Sequence, residues 1–271
     1  MSSFLRRWRR ILLLAIFFPI ISLIAALGKR DSWRSRRFAA KITRIWARGV
    51  CRLIGFKVNV FGDAKKYPGC VITPTHLGGL DILAHASVFP IRFAAQAEMQ
   101  NWGIFGWFFG LNQPIWIYRT ERQKSAGALS EFIATMNHGI PLLVYPEGTS
   151  TNGLDGILPF KSTAFEAAVQ GNKPVLPVLT FFQPADDNWN FAWTDDGSMG
   201  KNAWRVLGCK KLICDLYVLP PIEPEGRNRK ELSQAVYGAL TAEYQRQADK
   251  YRRMYGLPDS ERDVADIELT A

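Results

Sequence analysis

The chain has 271 residues, 48% of them hydrophobic and 21% charged, with a formal net charge of +10. That length can bury a sizeable core, and the apolar fraction excludes a mostly disordered chain. Nine Trp residues, within an aromatic content of 13%, point toward lipid or a large apolar ligand. The positive charge is confined to one end: residues 1–60 hold 14 Lys and Arg against a single acid, Asp31, whereas the remainder is slightly acidic. This argues against a nucleic-acid groove running across the fold, so no nucleic-acid partner is expected, and an anionic membrane surface suits the basic end.

Residues 11–27 are an almost unbroken apolar run preceded by Arg6, Arg7, Arg9 and Arg10. A signal peptide has such a basic start, but Ala25-Ala26-Leu27-Gly28 followed by Lys29 and Arg30 is a poor cleavage site. The run is at the short limit for a membrane span, is interrupted by Pro19 and Ser22, and is basic at both flanks. A helix dipping into one leaflet therefore competes with a spanning one. Next, Phe38, Ile42, Ile45, Trp46, Gly49 and Leu53 fall at helical spacing, with Arg37, Lys41, Arg44, Arg48 and Arg52 on the opposite side. A basic helix with an aromatic face is an interfacial pattern; a core-packing helix with a solvated basic face is the alternative. Residues 1–55 are expected to form a membrane-associated helix pair holding the protein at the cytoplasmic face.

From residue 56 short β-rich runs alternate with helical stretches. Strands are predicted at 57–61, 70–73, 92–95, 115–118, 142–145 and 175–180, with weaker ones at 190–193 and 212–218. Helices are predicted at 81–88, 102–111, 124–137 and 162–169. A C-terminal helix over 228–254 carries Leu232, Val236, Leu240 and Tyr244 on one face. The alternation indicates an α/β domain, residues 56–258, with a mixed, mainly parallel sheet flanked by helices. Residues 259–271 read as an acidic, aperiodic tail. Cys51, Cys70, Cys209 and Cys214 show neither a CxxC pair nor metal-ligand spacing and read as apolar fillers in a reduced compartment.

Functional groups in such sheets collect where strands end. One apolar run delivers His76, then Gly78 and Gly79, then Asp81 at the start of a helical stretch. That spacing lets Asp81 accept from His76 Nδ1 and leave Nε2 to take a proton, although an N-cap Asp beside a turn His fits the same residues. A second run, 142–145, breaks at Pro146 and presents Glu147, Gly148, Thr149 and Ser150, donors suited to an oxyanion or phosphate as well as to a plain turn. His85 reads as structural, and His138 suits a helix C-terminus. The aromatic group Trp102, Phe105, Trp107, Phe108 and Phe109 fits either ordinary core or the wall of an acyl-chain tunnel.

His76-x4-Asp81, Ile117-Tyr118-Arg119, Pro146-Glu147-Gly148-Thr149 and Val175-Leu176-Pro177-Val178 resemble, in order and spacing, the four blocks of the glycerolipid acyltransferase family, that of the lysophosphatidic acid acyltransferases. The likeness covers residues 56–220. It implies His76 as general base on a lysolipid hydroxyl, with Asp81 orienting it and no protein nucleophile. It implies Arg119, Glu147, Gly148, Thr149 and Lys161 as the acceptor pocket, acyl-CoA or acyl carrier protein as donor, and neither cofactor nor metal. Three positions depart from the family pattern: Ser150 stands for an Arg, Gln96 for a Lys, and Thr163 for a small residue. Losing two cations favours a less anionic acceptor, such as the lyso-ornithine lipid of a bacterial branch. A hydrolase or thioesterase using the same His-Asp pair with water, or a non-catalytic basic membrane-binding module, are the competing readings.

Overall fold

The computed structural model describes residues 2–64, 67–101, 103–118, 122–192 and 199–259. Seven strands form one sheet in the order β1-β7-β6-β2-β5-β3-β4: β1 Phe56–Phe61, β2 Val71–Pro74, β3 Arg92–Gln96, β4 Ile115–Ile117, β5 Leu142–Leu143, β6 Val175–Gln183 and β7 Leu212–Val218. Every neighbouring pair is parallel except β6 with β7, so β1 and β7 run against the other five. The sheet is mixed and mainly parallel, flanked by helices α1 Ser3–Gly28, α2 Trp33–Ile54, α3 Gly79–Val88, α4 Ile104–Leu111, α5 Arg122–Asn137, α6 Glu166–Gly171, α7 Met199–Gly208 and α8 Arg229–Met254.

Strand β6 shows how the pleat divides the core. Leu176, Val178 and Phe182 face the cluster built with α2 and α3, while Val175, Leu179 and Phe181 face the α5, α6 and α8 side. Both faces are covered, which is why this strand reads as a continuous apolar run. On the second face α8, opened by an Asn228–Glu231 capping box, packs Leu232, Val236, Leu240 and Tyr251 into the core. The Phe181 and Tyr251 rings stack with centroids 4.1 Å apart. All four cysteines are buried and unpaired.

The N-terminal helices have more faces than their sequence pattern suggests. Helix α2 buries a third, small-residue stripe against the domain, Ala39, Ala40, Thr43, Ala47 and Val50, leaving Phe38 and Ile45 exposed. Part of its basic side also bonds to the domain: Arg48 Nε donates to Ser87 O and Arg37 Nε to His138 O, both at 2.8 Å. Helix α1 starts well before the apolar run. Its basic residues cap the end of α7, with Arg6 Nε donating to Gly208 O and Arg10 Nη1 to Cys209 O, each at 2.8 Å. At the other end Ser35 Oγ of α2 donates to Gly28 O, so α1 is tied to α7 at one end and to α2 at the other. Its outer face exposes Trp8, Leu12, Ile16, Ile20, Leu23 and Leu27.

Helix α7 carries no counterpart among the predicted elements. The strand expected at 190–193 is not formed over 190–192: Asn190 Oδ1 accepts from the Ala192 N–H in a side-chain turn, and Phe191 is buried against Phe56 and Phe182. Trp193 lies outside the described residues. Strand β5 is two residues shorter than predicted because Pro146 follows so closely, although Val144 N still donates to Ile72 O.

Candidate active site

Strand β2 ends at Pro74, and the next residues carry His76 beyond the sheet's carboxyl edge. The turn into α3 needs Gly78, whose φ of 110° and ψ of −162° are closed to other residues. Gly78, not Asp81, is the N-cap residue of α3; Asp81 lies in the first turn and folds back. Its Oδ2 accepts from His76 Nδ1 at 2.8 Å and from the Leu77 N–H. The Asp81 side chain is fully buried whereas the imidazole retains 18% exposure. With Nδ1–H committed to a carboxylate, the tautomer leaves the Nε2 lone pair open, and no described residue hydrogen-bonds that nitrogen.

The loop after β5 holds the histidine's backbone from the other side. Glu147 Oε1 accepts from His76 N at 2.9 Å, and Thr151 N donates to His76 O at 2.8 Å. The second Glu147 oxygen accepts from Leu158 N at 3.0 Å, so this buried carboxylate clamps two loops. Burial pushes its pKa up, and the two backbone donors pull partly in the opposite direction. Gly148 takes a φ of 75°, and a Cβ there would run into Lys161 Nζ, which stands over it. Gly148, Thr149 and Lys161 are exposed, and Gly148 lines the same cavity as His76. Arg119 lies outside the described residues.

His76, Tyr145 and Gly148 line one end of a cavity of about 410 Å³. Phe93, Ala94 and Ala95 of β3 form one of its sides, and Ile42 and Trp46 of α2 another. It reaches Asn112 and Pro114, which lead into the start of β4. It therefore runs from the carboxyl edge of the sheet to the amino edge, beneath the N-terminal helices. Of the aromatic group, Phe108 and Phe109 line it, with Phe108 packed on Phe18 and Trp46, whereas Trp107 is half exposed. Gln96 also lines it. Among the described residues no group of three His, Cys, Asp or Glu is placed to hold a metal ion.

Two residues that the motifs did not single out belong to the same cluster. The Tyr145 ring stacks on His76 and its hydroxyl lies 3.0 Å from His85 Nδ1, while Thr180 Oγ1 lies 3.0 Å from His85 Nε2. Tyr145 reads in the sequence as one more strand residue, and Thr180 as the end of an apolar run; only the pairing of strands brings them to His76. His138 sits past α5, stacked on Trp33, with Nδ1 donating to Ala134 O.

Comparison with known proteins agrees with this geometry. The profile of the family described as Acyltransferase matches residues 57–180. A lyso-ornithine lipid O-acyltransferase of Brucella abortus is 29% identical over 144 residues, covering 52% of this chain and 51% of that protein. A 1-acyl-sn-glycerol-3-phosphate acyltransferase of Neisseria meningitidis is 27% identical over 167 residues, covering 61% of this chain and 65% of that protein. The chain thus spans about half to two thirds of the length of these relatives. The crystal structure of the 1-acyl-sn-glycerophosphate acyltransferase PlsC of Thermotoga maritima superposes with a TM-score of 0.66 at 19% identity, covering 90% of this chain and 95% of that one, and so shares the fold. Residues 57–180 therefore match the Acyltransferase family model, and the chain shares its fold with a solved acyltransferase.

Proposed function

We propose that this protein is a lysolipid O-acyltransferase that moves a fatty acyl group from the thioester of acyl-CoA or acyl carrier protein to the free hydroxyl of a membrane lysolipid. The observation that carries the proposal is the His76–Asp81 pair, with Nδ1 fixed and Nε2 open, at the end of a long apolar cavity. His76 Nε2 accepts the hydroxyl proton while the lysolipid oxygen attacks the thioester carbonyl carbon. The tetrahedral adduct then collapses, the C–S bond breaks, and the imidazolium returns its proton to the departing thiolate. Asp81 holds the ring and stabilises the imidazolium. No protein nucleophile is required, since the acceptor oxygen plays that part.

The cavity suits an acyl chain, and Lys161 over Gly148 suits an anionic head group beside the base. By the family resemblance Arg119 and Thr149 share that task. The clamp made by Glu147 favours a positioning role for it over contact with the acceptor. The exposed apolar face of α1, tied at both ends, favours a helix lying in the membrane surface; arginines that would flank a span are spent on α7 instead. We place the protein on the cytoplasmic leaflet, where the basic segment meets anionic lipid. Ser150 and Gln96 favour lyso-ornithine lipid over 1-acyl-glycerol-3-phosphate, both acceptors being named among the relatives. Each acceptor offered with radiolabelled acyl carrier protein thioester tests this: higher kcat/KM for lyso-ornithine lipid is expected. A preference for 1-acyl-glycerol-3-phosphate overturns the acceptor assignment, and release of free fatty acid without acyl lipid overturns acyl transfer.

A further inference from the structure

Behind the histidine a chain of polar groups, half-buried at Tyr145 and buried at His85 and Thr180, is not used by acyl transfer as described. The Tyr145 ring covers the His76 imidazole with centroids 4.0 Å apart and planes 25° apart. From its hydroxyl the chain continues through His85 to Thr180, each step 3.0 Å long. His85 is completely buried, and burial lowers its pKa to about 4, so it is neutral at physiological pH and carries one N–H.

The direction of the protons follows from the Asp81 carboxylate. Oδ2 is occupied by His76 and Leu77, but Oδ1 is buried and without a hydrogen-bond partner. The Tyr145 hydroxyl lies beside this carboxylate, whose charge helps raise the phenol pKa. If Tyr145 donated to His85, Oδ1 would stay unsatisfied inside the protein, a costly arrangement for a charged oxygen. If His85 Nδ1–H donates to Tyr145, Thr180 satisfies Nε2 and the phenol proton is free for Asp81. The second arrangement leaves the carboxylate better solvated, and a small adjustment of the hydroxyl completes it.

We propose that Tyr145 is a positioning residue for the His76–Asp81 pair: its ring fixes the imidazole plane and its hydroxyl, oriented by His85 and Thr180, donates to Asp81 Oδ1. The donation withdraws charge from the carboxylate and weakens its hold on an imidazolium. The other titratable groups around His76 leave this role to Tyr145. Glu147 is engaged by two backbone amides, Cys214 stays a neutral thiol because burial lifts its pKa, and Lys161 stands over Gly148.

This proposal rests on His76 being the base, and one experiment separates the two. The pH profile of kcat/KM is measured for wild type, Tyr145→Phe and His76→Ala, in detergent-dispersed lysolipid (1-acyl-glycerol-3-phosphate or lyso-ornithine lipid) with radiolabelled acyl carrier protein thioester. Tyr145→Phe keeps the stacked ring and loses the hydroxyl. Its acid limb is expected to move up by about half a pH unit, with about a threefold loss of kcat/KM along that limb and little change in KM. His85→Leu, which removes the group orienting the phenol, is expected to move the limb in the same direction, and thermal unfolding of each variant checks that it is folded. An unmoved limb in folded Tyr145→Phe, or a loss confined to KM as for a cavity wall, overturns the role of Tyr145 alone. Activity surviving in His76→Ala, or a wild-type profile with no acid limb, overturns the base itself.

Discussion

Two of the buried aspartates lie on opposite faces of one sheet, and they differ in how their oxygens are served. Asp215, on β7, is 1% exposed. Its Oδ1 accepts from Asn59 Nδ2 at 2.7 Å, and its Oδ2 from Gln183 Nε2 at 2.8 Å and Tyr251 Oη at 2.5 Å. Asn59, Gln183 and Tyr251 are neutral donors, and they join β1, β6 and α8 to β7. Asp81 has one oxygen shared between an imidazole and a backbone amide and the other facing the Tyr145 hydroxyl, and its imidazole opens on a cavity. A buried carboxylate saturated by neutral donors pins elements together. One paired with an imidazole that reaches a cavity is suited to proton transfer.

The sharpest way to break this contrast is to remove the proposed proton acceptor. His76→Ala is expected to lower kcat/KM for acyl transfer by about 10²–10⁴-fold in protein that thermal unfolding shows to be folded, and to cost about 1–3 kcal/mol of stability because Asp81 loses a partner. Next in size is a pH effect on stability. The folded pKa of His85 is about 4 against an ordinary 6.5. Between those values the unfolded chain binds a proton that the folded one refuses, so stability falls as pH drops from about 6.5 to about 4, by about 3 kcal/mol from this residue. Urea unfolding at pH 7 and pH 4.5 should show that loss, and His85→Gln should reduce the pH slope by close to one proton. An unchanged slope would mean that His85 is not buried in its neutral form.

Asp215→Asn tests the other half. The buried amide removes the charge and turns a donor toward Asn59, Gln183 or Tyr251, so about 1–3 kcal/mol of stability should go, read as a lower unfolding temperature. The kcat/KM per folded molecule should stay within about twofold, because Asp215 touches neither the cavity nor His76. Loss of activity in folded protein would erase the distinction between the two carboxylates.

The His76–Asp81 pair was legible because spacing alone brings it together: five positions separate the two residues, and one turn folds the carboxylate back. The strands were legible where both faces are buried, as in β6, whose apolar run admits few other readings. What could not be read was set by pairing at a distance. Tyr145 and Thr180 meet His76 and His85 only because β5 and β6 flank β2. Helix α7 has few buried residues of its own, and part of what fixes its end is the arginine pair Arg6 and Arg10, some 200 positions earlier. Those arginines look in sequence like membrane flanks, since charge pattern does not say whether a guanidinium will meet a phosphate or a helix carbonyl. The small-residue stripe of α2 was hidden for a similar reason: alanines carry little hydrophobic signal, yet they let a helix approach α3 closely.

Glu147 carries the smallest predicted effect and the finest distinction. As a family motif residue beside an acceptor pocket it should contact the substrate; in the structure both its oxygens face backbone amides, of His76 and Leu158. Glu147→Gln replaces one acceptor with an amide that faces a donor, at a cost of about 1 kcal/mol. The bond released determines the outcome. Freeing His76 N loosens the catalytic loop and lowers kcat by up to about tenfold, whereas freeing Leu158 N loosens the outer loop and costs stability only. In neither case does the acceptor lose a contact, so KM for lysolipid should remain within about twofold. A KM that rises several-fold while kcat holds would show that Glu147 touches the acceptor after all. It would also make the 147–151 loop part of the binding surface and not only the frame that holds His76.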